Sequence, residues 1–201
     1  MQRSPQRIVY SEIDVKSWTE RRPSCGSVRP SHCPSCARAS RPVGAPLVVV
    51  GHGLRARSIE GPAAPGEAPV VTDVHGRRYV CRACRAVVVV VPQGVARGHR
   101  YSLSAIAFAL GWWAYERLHA AAVRERSSTA KRIGAASATR WASLARWTRC
   151  AGSLFGCEVP ALGTVRERAA RVAAFVASHA PVSTGPVPTL AFLGAAFCRP
   201  R

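Results

Sequence analysis

Two Cys-x-x-Cys pairs constrain this chain more than any other feature. The first is Cys33/Cys36, the second is Cys81/Cys84, and strand-like sequence lies between them. A pair at this spacing can form a tight turn whose backbone amides point toward both sulfurs. Two such turns facing each other supply the closed tetrahedral shell of four thiolates that structural Zn²⁺ prefers. The sequence therefore predicts one structural Zn²⁺ ion held by these four cysteines.

Disulfide bonds and redox chemistry are the alternative uses of such pairs. Disulfides require an oxidising compartment, and residues 1–18 contain neither the apolar segment nor the small-residue cleavage site of a secretory signal. A redox pair normally occurs once, within a βαβ pattern that neither motif shows. Zinc is therefore favoured, with His32 and Cys25 as nearby ligands that could replace one member of the first pair.

The net charge of +19 indicates a polyanionic partner. It arises from 29 basic and 10 acidic residues, and all of the basic residues except Lys16 and Lys131 are arginine. The excess is spread along the chain, as expected for a protein that neutralises nucleic-acid phosphates. Codon bias alone could raise the arginine content, but it gives no reason for the scarcity of acids.

The longest apolar runs argue against a membrane span. They cover residues 86–91, 103–115 and 187–197, all shorter than the roughly 20 residues that cross a bilayer. We therefore expect a soluble, cytoplasmic protein without membrane partners.

Strand-like segments surround the two cysteine pairs. Arg7 to Val15 reads as a short extended stretch, and Leu47 to Ile59, Val70 to Val80 and Val87 to Val91 show the alternation or β-branched content of strands. The last three predict a three-stranded antiparallel sheet that joins the two turns. We accordingly expect an N-terminal extension over residues 1–30 and a zinc ribbon over residues 31–95.

Helical sequence follows. Ser102 is a suitable N-cap for a helix, and Ser137 is predicted to cap a second helix that runs to Arg149. Short helices with short connections over residues 101–150 are typical of a helix-turn-helix module. Thr164 and Glu167 have capping-box spacing, which predicts a helix within residues 160–180, followed by an irregular tail over 181–201. The expected fold class is α+β, a small antiparallel zinc-ribbon sheet followed by a helix-turn-helix-like lobe.

Tryptophans are dense in the helical region. The spacing of Trp113 and Trp141 among apolar residues favours core packing, whereas Trp112 and Trp147 are predicted to be the more exposed pair. Exposed aromatic rings among arginines could stack on nucleic-acid bases.

No set of polar residues has the spacing of a catalytic site. The acidic residues and six histidines are scattered, and neither a Gly-rich phosphate loop nor a His-Glu-x-x-His motif is present. We therefore predict that the protein is not an enzyme. A second metal site at Cys150 and Cys157 would need ligands from elsewhere, and Cys198 reads as a small buried thiol.

The order of these parts resembles a known family. Cys33-Pro34-Ser35-Cys36, then Gly51-His52-Gly53 opening a basic strand, then Arg77 through Cys84 and a helical segment, are similar to the N-terminal zinc-ribbon and helix-turn-helix region of insertion-sequence transposases. Small mobile-element proteins that keep only that region share the likeness, which covers about residues 30–150. It implies zinc binding by the four cysteines and DNA recognition, with Arg77 and Arg78 at the phosphate backbone. The catalytic domain of such transposases is missing, so strand cleavage is not implied.

The sequence as a whole predicts a zinc-dependent protein that binds double-stranded DNA, with a transposase or a second copy as further partners. The predicted nucleic-acid contacts are the arginines of the basic strands and of the second helix: Arg55, Arg57, Arg77, Arg78, Arg140, Arg146 and Arg149. Three alternatives stay open. They are an RNA-associated zinc ribbon, a protein-interaction module that uses the apolar helices 103–115 and 165–176, and a mobile-element remnant without selected activity.

Overall fold

The computed structural model describes residues 6–129 and 141–198. The chain divides into two compact units, the first comprising Met1–Ser58 and Asp73–Gln93, the second comprising Ile59–Thr72 and Gly94–Arg201. Residues 6–30, which fall in the expected N-terminal extension, lie in the first unit together with the two cysteine pairs. The observed class is mixed α and β.

A four-stranded sheet carries the first unit. Its strands are β1 (Gln6–Asp14), β2 (Val49–Pro62), β3 (Pro69–Cys81) and β4 (Val87–Gln93), in the order β1-β4-β3-β2. Strand β1 pairs parallel to β4, and β3 pairs antiparallel to β4.

The prediction of a three-stranded antiparallel sheet is therefore wrong in strand number and in direction. The extended stretch near the N-terminus supplies a fourth strand, with Ile8 opposite Val89. Residues Val88 to Val91 of β4 are all buried, and a continuous buried run is typical of a strand with neighbours on both sides. The added strand gives β4 its second hydrogen-bonding partner.

A short helix, α1 (Val15–Arg21), follows β1 directly and was not predicted. The Asp14 side chain caps it by accepting a hydrogen bond from the Ser17 N–H. Trp18 is buried, and its Nε1 donates to the carbonyl of His75 at 3.1 Å. This hydrogen bond fixes α1 against β3.

The second unit is mostly helical, and it also includes the end of β2 and the start of β3 within residues 59–72. Its elements are α2 (Leu103–Ala114), α3 (Ala120–Ser127), α4 (Ala142–Arg149), α5 (Ala151–Phe155), α6 (Val165–Ala177) and α7 (Val187–Gly194). Helix α2 is the centre of this core, because it packs against α3, α6 and α7 and is buried over most of its length. No helix in the described ranges is long and apolar enough to span a bilayer.

Two predicted helix starts are confirmed. Ser102 caps α2 by accepting from the Ala105 N–H at 3.1 Å. Thr164 and Glu167 form the reciprocal hydrogen bonds of a capping box at the start of α6. Ala169, Val172 and Val176 of α6 are buried in the core of the second unit.

The C-terminal segment is not wholly irregular, because α7 lies within it. An apolar run with Pro188 in its first turn forms this helix, and proline is well tolerated there since its missing N–H would have no partner within the helix. The predicted helix from Ser137 to Arg149 is shorter in its described part. It begins at Ala142, with Trp141 extended at the N-cap, and Ser137 lies outside the described residues.

The expected exposure of the tryptophans is wrong. Trp112 is 7% exposed and Trp147 is fully buried, whereas Trp113 and Trp141 are half-buried. Trp112 stacks on Phe108 with ring centroids 3.7 Å apart, and Trp147 meets Tyr101 edge-on. Helix α2 is buried on nearly all sides. Its sequence therefore has no single apolar face that would distinguish a buried Trp113 from an exposed Trp112.

Candidate metal centre and arginine surfaces

The two cysteine pairs form equivalent turns, which we call the first knuckle (Cys33 to Arg38) and the second knuckle (Cys81 to Ala86). In each, the residue after the second cysteine donates its N–H to the carbonyl of the first cysteine, at 2.9 Å and 2.8 Å. In each, the first cysteine donates its own N–H to the carbonyl five residues later, at 2.9 Å and 3.0 Å. The same local geometry thus occurs twice at distant points of the chain.

Each knuckle requires a left-handed residue after its second cysteine. Ala37 has φ 57° and Arg85 has φ 63°. Glycine adopts this conformation without steric cost, whereas residues with a Cβ are strained there. Both knuckles therefore keep a mildly strained backbone in order to place two sulfurs side by side.

The four sulfurs come together as predicted. All lie within 4.8 Å of one another, with Cys33 Sγ 3.7 Å from Cys84 Sγ and Cys36 Sγ 3.8 Å from Cys81 Sγ. A tetrahedral zinc with Zn–S distances of about 2.3 Å has S···S edges of about 3.8 Å. The residues are free thiols, and their separation is nearly twice the roughly 2.0 Å of a disulfide bond. The cluster fits a tetrahedral metal ion.

The environment of the cluster favours ionisation of one sulfur. Burial raises the pKa of Cys81, but hydrogen bonds from the backbone N–H groups of Cys84 and Ala83 outweigh it and bring that pKa to about 7. At Cys84 the backbone N–H of Ala86 lowers the pKa, yet desolvation and the neighbouring sulfurs raise it to about 12. Four thiolates this close repel one another, so a cation is needed to hold all of them in the ionised state.

The two spare ligands stand apart from this group. His32 is exposed, with Nδ1 3.2 Å from Ser31 Oγ. Cys25 packs against Gly51, where an added Cβ would lie 2.5 Å from its sulfur, and its carbonyl accepts from the Tyr79 hydroxyl at 2.8 Å. Across residues 6–129 and 141–198, the four knuckle cysteines are the one group of this kind.

The remaining cysteines belong to the second unit. Cys157 and Cys198 are buried in its core, and burial raises the pKa of both, that of Cys198 to about 12. Cys150 is half-buried. The prediction that Cys198 is a small buried thiol is confirmed.

Three of the predicted nucleic-acid arginines share one face of the sheet. Arg78 lies opposite Val89, and directly opposed residues project to the same side. Gln6 of β1 lies on that side too, since it pairs with Val87, and Arg55 Nη1 donates to its Oε1 at 2.7 Å. Arg57 follows Arg55 at the two-residue period of a strand and is half-buried.

Arg77 projects to the other face, opposite Val90. Its Nε donates to the carbonyl of Pro23 at 2.7 Å, and Nη2 donates to that of Arg22 at 3.4 Å. The Arg77 guanidinium therefore ties the segment after α1 to β3, which leaves it less available for phosphate than the resemblance implied.

On α4, Arg146 and Arg149 are exposed, whereas Leu144, Trp147 and Thr148 are buried. The two arginines thus occupy the polar side of an amphipathic helix. Arg140 lies outside the described residues. The apolar faces of α2 and α6, proposed as an interface in the protein-interaction alternative, pack inside the core of the second unit.

A further set of arginines was overlooked in the sequence. Arg38, Arg82 and Arg85 lie on the knuckles and are exposed. The segments that bear the four cysteines, residues 21–59 and 74–115, contain no aspartate or glutamate. The sequence does contain a signal for this set, because Arg82 lies within the second Cys-x-x-Cys motif and Arg85 directly follows it.

No family model, curated protein or solved structure matches this chain. The resemblance to the transposase region therefore stays a prediction from the cysteine and glycine motifs.

Proposed function

We propose that this chain is a zinc-stabilised, non-catalytic nucleic-acid-binding protein whose partner is double-stranded DNA. The observation that carries the proposal is the four-sulfur cluster, in which two S···S distances match the edge of a zinc tetrahedron, set in segments that carry arginines and no acids. A kinship to transposases would extend this role to the ends of a mobile element or to an operator.

Zinc is the metal that suits this donor set. Four thiolates in a closed shell select zinc among the common divalent ions, and the site has no open position for a substrate. Binding energies of about 10–16 kcal/mol for structural zinc in small domains match the stability of a whole domain. The ion would therefore hold two knuckles that are distant in sequence.

Nucleic acid is the partner that suits the charge. A net charge of +19 concentrates phosphates near the protein, and each phosphate neutralised by an arginine releases condensed counterions. Arg55 and Arg78 on the sheet, and Arg146 and Arg149 on α4, offer guanidinium groups. The sequence around them contains no aspartate or glutamate over residues 21–59, 74–115 and 126–157. The guanidinium fork can hold a phosphate through two hydrogen bonds.

The salt dependence of duplex binding tests the proposal. Fluorescence anisotropy of the zinc-loaded protein with a labelled duplex of about 30 base pairs should show log affinity falling linearly with log salt, with a loss of about 10³-fold or more between 50 and 200 mM. Absence of binding at low salt, or binding that does not respond to salt, would contradict it.

A competition experiment distinguishes DNA binding from the RNA-associated alternative. An unlabelled duplex DNA and a structured RNA of the same charge are titrated against the bound probe. We expect DNA to compete at least as well as RNA. Preferential displacement by RNA would favour the RNA-associated reading instead.

A further inference from the structure

Arg85 occupies a position where its residue type has a structural cost. It is the left-handed residue of the second knuckle, with φ 63°, next to the ligand Cys84. Glycine is the default at such a position, because any Cβ is strained there. The side chain is exposed and makes no hydrogen bond or ion pair within the described part of the chain, so no polar contact of the side chain with those residues offsets the strain.

The turn uses the backbone of Arg85 but gives no reason for an arginine side chain, and strained positions of this kind cluster at functional sites. Arg82 precedes it on the same knuckle and is also exposed, while its backbone N–H donates to the carbonyl of Val48 at 2.8 Å. The equivalent positions of the first knuckle are Pro34 and Ala37, which carry no charge. At these two positions only the second knuckle is cationic, so a charge there is not a requirement of the turn.

We propose that Arg85, together with Arg82, binds the phosphodiester backbone of the nucleic acid. This inference rests on the proposed function and names the contact residues for it. The knuckle backbone is fixed by its hydrogen bonds, and the proposed zinc would hold it further through Cys81 and Cys84. Little backbone conformational freedom is therefore lost on binding, which favours affinity. The guanidinium of each arginine can grip one phosphate through two hydrogen bonds.

The strain itself supplies a sharp test. Arg85→Gly relieves the left-handed backbone and removes the cation, and Ala37→Gly relieves the same strain without a change of charge. We expect both variants to keep one zinc and to have an unchanged or higher Tm, with a rise of up to about 4 °C. Only Arg85→Gly should weaken duplex binding, by about threefold to tenfold at low salt.

The salt slope identifies the lost contact. Each phosphate contact contributes about 0.9 to the slope of log affinity against log salt, so Arg85→Gly should lower the slope by about one and the double variant Arg82→Ala/Arg85→Gly by about two. Arg85→Asn, whose side chain also tolerates the left-handed region, should reproduce the loss and guards against an effect peculiar to glycine.

The outcomes separate the two proposals. If the wild-type protein binds duplex DNA with a steep salt slope and Arg85→Gly, Arg85→Asn and the double variant bind identically, the inference about the second knuckle is overturned and the proposed function stands. If Ala37→Gly weakens binding as much as Arg85→Gly, the effect is one of backbone shape and the inference is overturned too. If the wild-type protein does not bind nucleic acid at any salt concentration, both proposals fail.

Discussion

Cys33 Sγ lies 3.7 Å from Cys84 Sγ, although the two residues belong to different knuckles. The cross-knuckle pair Cys36 and Cys81 is spaced almost identically, at 3.8 Å. A metal ion bound by all four sulfurs would link the first knuckle to the β3–β4 connection. Loss of that link should affect the whole first unit.

Removal of one ligand tests this link. Cys81→Ser should abolish stoichiometric zinc binding and unfold the first unit, because structural zinc supplies a folding energy of about 10 kcal/mol or more. Metal analysis and amide hydrogen exchange of β3 and β4 report the two effects. Cys25→Ser is the matched control and should retain zinc, since Cys25 lies outside the cluster. Retention of zinc and of exchange protection by Cys81→Ser would contradict the prediction.

Glu60 should make the second unit sensitive to acid. Its carboxylate is buried, and burial raises its pKa, but hydrogen bonds from Thr129 and Ser128 and the charge of Arg100, whose Nε is 2.7 Å away, lower it overall. A carboxyl with a depressed folded-state pKa contributes stability above its unfolded value of 4.5 and loses it as the pH falls through the folded value.

Glu60→Gln should therefore destabilise the second unit by about 2 kcal/mol at pH 7. This loss is smaller than that for breaking a fully buried ion pair, because the Arg100 side chain of the Glu60–Arg100 pair is largely exposed. The difference from wild type should shrink at pH 4 and below. Urea unfolding followed by tryptophan fluorescence measures it, with the exposed Glu12→Gln as control. An equal difference at both pH values would show that the carboxylate charge is irrelevant.

Two helical glycines should respond to alanine in opposite directions. A Cβ on Gly111 of α2 would lie 2.7 Å from the Pro188 Cα, a backbone atom that cannot move aside. A Cβ on Gly152 of α5 would meet only the Cys157 carbonyl, at 3.8 Å. Gly111→Ala should destabilise by about 1–3 kcal/mol, whereas Gly152→Ala should stabilise by about 0.5–1 kcal/mol.

Thermal unfolding of the two glycine variants in parallel checks this contrast. Both carry the same added methyl group in a helix, so propensity alone would stabilise both. Stabilisation by Gly111→Ala would contradict the close contact between α2 and α7.

Arg77 should behave as a structural residue. Arg77→Lys keeps the charge but loses the Nε hydrogen bond to the Pro23 carbonyl. We expect a stability loss of about 1 kcal/mol and an unchanged salt slope of duplex binding. Chemical denaturation and anisotropy measure the two quantities. A lower salt slope with unchanged stability would restore the phosphate contact that the resemblance implied.

The structural features that could be predicted correctly from the sequence are mostly local ones. The knuckles are defined by spacing within four residues, the caps at Ser102 and Thr164 by spacing within three, and these predictions are confirmed because nearest neighbours in the chain settle them. The encounter of the two knuckles was also predictable, since four thiolates have few alternatives to a shared metal.

Non-local partners were not predictable in the same way. Nothing in Arg7 to Val15 specifies β4 as its neighbour or parallel as its direction, because that choice depends on the valines of β4, which follow their β1 partners by 81 residues. The burial of Trp112 follows from α7 and α3 closing over α2. The start of helix α7 has a local signal, the proline in its first turn. The Pro and Gly content of the surrounding segment nevertheless favoured the prediction of an irregular tail.

X-ray absorption at the zinc edge of the purified protein is the most direct test of the central claim. The account predicts one zinc per chain in a first shell of four sulfurs at about 2.3 Å, with no nitrogen or oxygen. A metal-free protein that is nevertheless fully folded, or a zinc shell containing histidine nitrogen, would contradict it.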